Sequence, residues 1–378
     1  WLSLIRNEWL SLVRNTQAGK THQYCKGIAT ITHQLKSDNI QINCMLSLLL
    51  VLLHANILHH MTTTEQIHIA AQHIKEGKLV AFPTETVYGL GADALNPHAV
   101  ARIFELKERP TFDPLIVHIA SLEDVKKLTA TEDERVNKLA ARFWPGPLTI
   151  ILPKSELVPD IVTSGLGTVG IRMPNHPVAL ELIRQSGCPI AAPSANKFGQ
   201  LSPTQAKHVS KQLPDVDFLL DGGEAQVGIE STIISLNEKG FEILRHGVIT
   251  REEIETIVPF YAIPERDKTN IVSPGMLKSH YSPEKPIYLI DENLPAGIDK
   301  TKAGLLSFSG EDTANYQFVE LLAPDKELKT CAVNLFAAIH RLEESNVEYI
   351  LAETVPETGI GIAIMDKLRK AAYRYQKH

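Results

Sequence analysis

Apolar residues at Ile67, Ala70, Ala71 and Ile74 recur at i, i+3, i+4 and i+7, the spacing of one buried helical face. Thr62-x-x-Glu65 stands before them as a capping box and Gly77 after them as a left-handed stop, so a helix is predicted between these signals. Leu79 to Phe82 then reads as a short buried strand ended by Pro83. Asn96-Pro97 caps and opens a second helix whose buried stripe is Val100, Ile103 and Phe104, and which delivers Lys107 and Arg109 at its C-terminal end. Further strands are predicted at Leu115–Ile119, Ile150–Leu152, Val169–Met173, Pro189–Ala192, Phe218–Leu220 and Thr232–Leu236. They complete a strand-rich α/β body ending near Ile257.

From Pro259 to Lys285 apolar periodicity disappears and Pro, Ser, Lys and Asp dominate, which marks a linker. A second α/β pattern follows, with strands at Ile287–Ile290, Ala303–Phe308 and Tyr349–Ala352 and an amphipathic helix at Leu328–Leu342. This alternation predicts a small parallel, Rossmann-like sheet. Gly359-Ile-Gly361 lacks the third glycine and following acid of a dinucleotide fingerprint, so it reads as a tight turn.

The first sixty residues have another texture, with a near-duplicate at Trp1–Asn7 and Trp9–Asn15 and an apolar run from Met45 to Leu58. That run is short for a membrane span and lacks the flanks of a signal peptide. The segment is read as non-native or disordered extension, with an anchor or targeting sequence as the alternative. The predicted organisation is therefore 1–60 extension, 61–257 catalytic domain, 258–285 linker or lid, and 286–378 C-terminal domain.

A formal net charge of −6 argues against wholesale nucleic-acid binding but permits a local basic pocket for a small polyanion. Cys25, Cys44, Cys188 and Cys331 show no Cys-x-x-Cys spacing, which fits a reducing, cytoplasmic setting without a disulfide framework or zinc site. Phosphate-loop, nucleophile-elbow and His-Glu-x-x-His signatures are missing as well, so any nucleotide should lie in a strand-lined cavity.

Several segments carry candidate chemistry. Pro83-Thr-Glu-Thr-Val-Tyr-Gly-Leu-Gly91 is hydroxyl-rich, with glycines that let backbone approach a ligand, and an elaborate turn is its alternative reading. Lys107-Glu-Arg109 suits a phosphate clamp or a solvated helix end. Strand parity puts Thr168, Gly170 and Arg172 on one face, and Ala192, Ser194 and Asn196 on one side of Ile190–Asn196. Gly170 would uncover the strand beside Arg172 for a ligand. Ser202-Pro-Thr204 is placed to cap a helix starting near Gln205 and to meet an anion. His118, a single histidine on an apolar strand, reads first as structural.

Together these segments resemble the Sua5/YrdC/YwlC threonylcarbamoyl-adenylate synthases. The resemblance runs in order from about Met61 to the C-terminus. It is carried by Phe82–Gly91, Lys107-x-Arg109-Pro, Pro114–His118, Phe143–Thr149, Thr168–Pro174, Ala192–Asn196, Ser202–Thr204, Glu230-Ser-Thr232, Leu244-Arg245 and Pro274–Pro283. It implies a YrdC-like twisted, open α/β domain lined by strands, a linker, and the small C-terminal domain of the long Sua5 form. The implied reaction joins L-threonine, bicarbonate and ATP into threonylcarbamoyl-adenylate and pyrophosphate, a nucleotidyl transfer with Mg²⁺ accompanying ATP. A downstream threonylcarbamoyl transferase would modify adenosine 37 of tRNAs that read ANN codons, with weak tRNA contact and no membrane. By the same resemblance, Lys107 and Arg109 are catalytic, and Arg109, Asp113, Ser194, Asn196, Ser202, Arg245 and Tyr281 contact ATP. Thr86, His118, Thr168, Arg172, Ala192 and Ser231 surround threonine, and no residue is assigned to metal. Two departures stand out: Asp113 where the family often has asparagine, and His246 where proline usually follows the arginine. The rival readings are an RNA-docking module without turnover and a carbamoyltransferase-related enzyme, whose zinc fingers and acylphosphatase segment this sequence lacks.

Overall fold

The computed structural model describes residues 62–261, 273–277 and 279–376. The readings made of residues 1–60, with Cys25 and Cys44, lie outside the described residues, as does part of the linker.

Helix α1 (Thr63–Lys75) opens on the capping box, with the Thr62 and Glu65 side chains bonding to each other's backbone amides, and buries Ile67, Ala70, Ala71 and Ile74. Gly77 follows at φ +72°. Strands β1 (Val80–Phe82) and β2 (Gly89–Asp93) lead into α2 (Pro97–Lys107), capped by the Asn96 side chain. Next come β3 (Ile116–His118), α3 (Leu122–Leu128), α4 (Glu134–Phe143), β4 (Leu148–Pro153), α5 (Asp160–Thr163), β5 (Thr168–Arg172) and α6 (Pro177–Ser186). Then β6 (Ile190–Ala191), α7 (Ala206–Gln212), β7 (Phe218–Leu219), β8 (Thr232–Asn237), β9 (Gly240–Arg245) and α8 (Arg251–Glu255) complete the first module. Its nine strands form one mixed sheet in the order β7-β1-β2-β6-β3-β5-β4-β8-β9.

The C-terminal module holds β10 (Ile287–Leu289), β11 (Ala303–Ser307), β12 (Phe318–Leu321), α9 (Leu328–Glu344), β13 (Tyr349–Ala352) and α10 (Ile360–Tyr373). Its four strands are all parallel, in the order β10-β13-β11-β12, as the alternating pattern predicts. Strand β12 was not foreseen, because it is an edge strand with no buried residue and therefore carries no apolar alternation. A side chain at Gly361 would meet the Pro356 carbonyl at 1.9 Å, which explains that glycine by turn packing alone.

The two modules share buried surface. Val87, Leu201 and Ile229 of the first pack in one apolar cluster with Tyr281, Phe336, Leu368 and the inner face of the small sheet. Lys370 on α10 donates to the Gly275 carbonyl at 2.8 Å, and Ser282 Oγ to that of Ala371 at 3.1 Å. The C-terminal module thus fixes the described part of the linker, 273–277 and 279–283, against the first module.

Candidate active site

The edges of β2, β3 and β5 and the ends of their loops line a cleft, with Pro274, Gly275, His280 and Tyr281 of the linker on its wall. Eight of the predicted residues line it: Thr86, Arg109, His118, Arg172, Ala192, Ser194, Arg245 and Tyr281. Glu230, Thr84 and Gly89 join them, and Glu85 stands directly behind Arg172.

One end of the cleft is built on an ion pair. Arg172 Nη2 lies 2.7 Å from Glu85 Oε1, both side chains are buried, and the pair is angled away from hydrogen-bond geometry. Arg172 Nε and both Glu85 oxygens consequently keep unused hydrogen-bonding capacity. Thr86 Oγ1 lies 2.8 Å from Thr84 Oγ1, so the loop after β1 holds its hydroxyls in place. Burial, with the Arg172 cation nearby, lowers the His118 pKa to about 3, making it a neutral imidazole.

The other end is cationic. Arg109 donates from Nε and Nη2 to the Asp113 and Pro114 carbonyls, at 3.1 and 2.9 Å, and Arg245 to the carbonyl and hydroxyl of Ser231, at 3.0 and 2.9 Å. Tyr281 is fully buried at φ +61°, a strained conformation for a bulky residue, and its hydroxyl has no protein partner. Burial, with Glu230 nearby, pushes the phenol well above its ordinary value, so it is a hydrogen-bond donor. Gly275 (φ +81°) is required here, because a Cβ would come within 3.0 Å of Arg245 Cδ and 3.2 Å of the Tyr281 hydroxyl.

The structure moves the other predicted residues away from the cleft, each for a physical reason. Lys107 Nζ donates to the Ser194 carbonyl at 2.6 Å and also to that of Asn196, and the side chain is 1% exposed. Its position continues the α2 stripe Val100, Ile103, Phe104 at i+7, and that periodicity was the available signal that it points inward. Lys107, predicted as a phosphate clamp, is tied in this structure to the Ser194–Asn196 backbone. Burial, with Arg109 close by, drives its pKa well down. Asp113 pairs with Arg109 (2.9 Å), so its carboxylate balances that arginine, and it does not line the cleft. Burial pushes the carboxyl upward against the pull of Arg109.

Asn196 Nδ2 bonds to the carbonyls of Lys197 and Gln200. Strand β6 ends at Ala191, so the parity argument fails beyond it: Ala192 and Ser194 reach the cleft and Asn196 does not. Thr168 shares the face of Arg172 but lies four residues away, roughly 13 Å along a strand. Gly170 is covered by Ile151 and Thr149, whose atoms a Cβ would meet at 3.2 and 3.3 Å, so it serves packing and exposes no ligand surface. Ser202 bonds to Glu230, Ser231 is committed to Arg245 and Thr149, and α7 is capped by neither Ser202 nor Thr204. Glu85, which the motif contained without an assigned role, is the counter-charge of Arg172.

Among the described residues no group of three or more His, Cys, Asp or Glu converges as a metal site, and no helix is long and apolar enough to cross a membrane.

Residues 72–247 match the family described as "Telomere recombination" (Sua5_yciO_yrdC), and residues 249–373 match "Threonylcarbamoyl-AMP synthase, C-terminal domain" (Sua5_C). The chain is 44% identical to the threonylcarbamoyl-AMP synthase of Pyrococcus abyssi, covering 82% of this chain and 96% of that one. It is 43% identical to the Bacillus subtilis enzyme of the same name, with 82% and 94% covered. Its fold superimposes on a crystal structure of P. abyssi Sua5 complexed with L-threonine with a TM-score of 0.74, at 43% identity and over 82% and 96% of the two chains. The chain belongs to the threonylcarbamoyl-AMP synthase family in its two-domain Sua5 form.

Proposed function

We propose that this chain condenses L-threonine, bicarbonate and ATP into threonylcarbamoyl-AMP and pyrophosphate, with release of water, as the adenylating step of tRNA threonylcarbamoylation. The observation that carries this reading is a two-ended cleft whose buried polar atoms lack protein partners at both ends, because such atoms are costly unless a polar ligand pairs with them. The Arg172 end suits an amino acid: the guanidinium edge takes its carboxylate, while Glu85 balances the arginine. Thr86 and neutral His118 complete that pocket. Arg109 and Arg245, with Ser194 and Tyr281, suit the nucleotide.

Chemistry needs two anions brought together. Threonine's amine first takes up carbon from bicarbonate, giving a carbamate and water. A carbamate oxygen then attacks the α-phosphorus, the bond to the bridging oxygen breaks, and pyrophosphate leaves with that electron pair. Arg109 and Arg245, fixed by their backbone bonds, are oriented before the charge develops, which is where electrostatic preorganisation acts. Removing one such donor typically costs about 10²–10³ in kcat. Lys107 acts indirectly by holding the Ser194 backbone. Mg²⁺ enters with ATP as part of the substrate.

Pyrophosphate release from ATP tests this reading. It should require both threonine and bicarbonate, and release indifferent to threonine would contradict it. An RNA-docking module predicts RNA affinity without any turnover.

A further inference from the structure

Glu230 is the one charged residue of the cleft that neither the threonine end nor the arginine pair accounts for. It immediately precedes Ser231 and β8, is 5% exposed, and faces the cleft beside Arg245 and Tyr281. Ser202 Oγ donates to Oε1, and the Ser202 carbonyl in turn meets His340 Nε2 of the C-terminal module at 3.1 Å. The carboxylate is therefore anchored on one oxygen through a chain that reaches the second module. Its other oxygen, Oε2, is buried and has no hydrogen-bond partner.

Neighbouring cations leave that oxygen free. Lys367 Nζ is committed to the His246 carbonyl, with Asp366 Oδ2 at 3.4 Å, and Arg245 to Ser231. No lysine, arginine or histidine among the described residues forms an ion pair with Glu230. A bare carboxylate at the end of the cleft that suits a polyphosphate would repel it, unless a cation stands between them. Mg²⁺ is suited to that place, since it binds through one or two carboxylates and completes its octahedron with phosphate oxygens and water. A single fixed carboxylate oxygen also explains why no cluster of ligands appears.

Resting on the ATP assignment above, we propose that Glu230 Oε2 is the protein's ligand for the Mg²⁺ that enters with ATP, held in position by Ser202 and His340. The competing roles for this oxygen are accepting a hydrogen bond from a ribose hydroxyl or a base amine, and a purely structural one.

The test compares the full chain with its Glu230→Gln variant, which keeps an acceptor for Ser202 but loses the charge. ATP affinity is measured calorimetrically in EDTA and in Mg²⁺, and Mn²⁺ is used as a spin probe of the protein–ATP complex. The wild type should bind ATP at least tenfold more tightly with Mg²⁺ than without. Glu230→Gln should bind metal-free ATP as tightly or more tightly, lose most of the Mg²⁺ gain, and hold Mn²⁺ at least tenfold more weakly in the ternary complex. Glu230→Asp, which keeps the charge at a shorter reach, should retain part of the gain. An equal Mg²⁺ gain in wild type and Glu230→Gln would overturn the proposal. So would an equal loss of affinity with and without metal, which a ribose, base or structural contact predicts. A wild type that binds ATP in neither condition would remove the nucleotide assignment itself, and the metal site with it.

Discussion

Replacing Lys107 by methionine separates the two roles open to this residue. Methionine is close in length, so the substitution mainly removes the ammonium's donors and leaves the buried carbonyls of Ser194 and Asn196 without them. A buried acceptor left unpaired costs about 1–3 kcal/mol, and two are affected. Relief from burying a charged or amine group offsets part of this, so a net loss of about 2–4 kcal/mol is expected. For a module of this size that corresponds to a fall in melting temperature of roughly 5–15 °C. Ser194 lines the cleft, so ATP affinity should weaken alongside, by about tenfold, corresponding to about 1.4 kcal/mol of disturbed positioning. Thermal melting and ATP titration on the same preparation read both quantities. An unchanged melting temperature with ATP binding lost a hundredfold would refute the reasoning, because it would mean that Lys107 touches phosphate.

Gly275→Ala places a Cβ at φ +81°, 3.0 Å from Arg245 and 3.2 Å from the Tyr281 hydroxyl, and should therefore impair ATP turnover more than stability; wild-type kinetics would contradict the close packing of the linker. The pH dependence has a defined sign. Burial lowers the pKa values of His118 and His208 to about 3 and of His340 to about 4, so the folded protein keeps all three neutral. The unfolded chain protonates them below about 6.5, so their contribution is complete above that pH and is lost as pH falls toward 4. Urea unfolding should show a loss of about 1 kcal/mol per histidine between pH 6.5 and 5.5, and a flat profile there would contradict their burial.

What the sequence made legible follows from how local each signal is. The Thr62 capping box, the Asn96-Pro97 helix start and the parallel C-terminal sheet depend on neighbouring residues, and the structure realises all three. Strand parity succeeded at Arg172, where β5 is five residues of regular ladder, and failed at Asn196, where the ladder ends at Ala191. Side-chain partners across the fold were not legible, because Glu85 meets Arg172 and Lys107 meets Ser194 only after the strand order brings them together. The departure at Asp113 became intelligible by the same route, since its charge is set against Arg109.

The proposed reaction leaves a particular covalent product. Incubating the protein with ATP, L-threonine and ¹³C-labelled bicarbonate, and quenching for mass spectrometry, reads it directly. The proposed reaction yields an adenylate that contains threonine and gains one mass unit from the label. An unlabelled threonyl-adenylate, or AMP formed without any threonine-dependent intermediate, would contradict it.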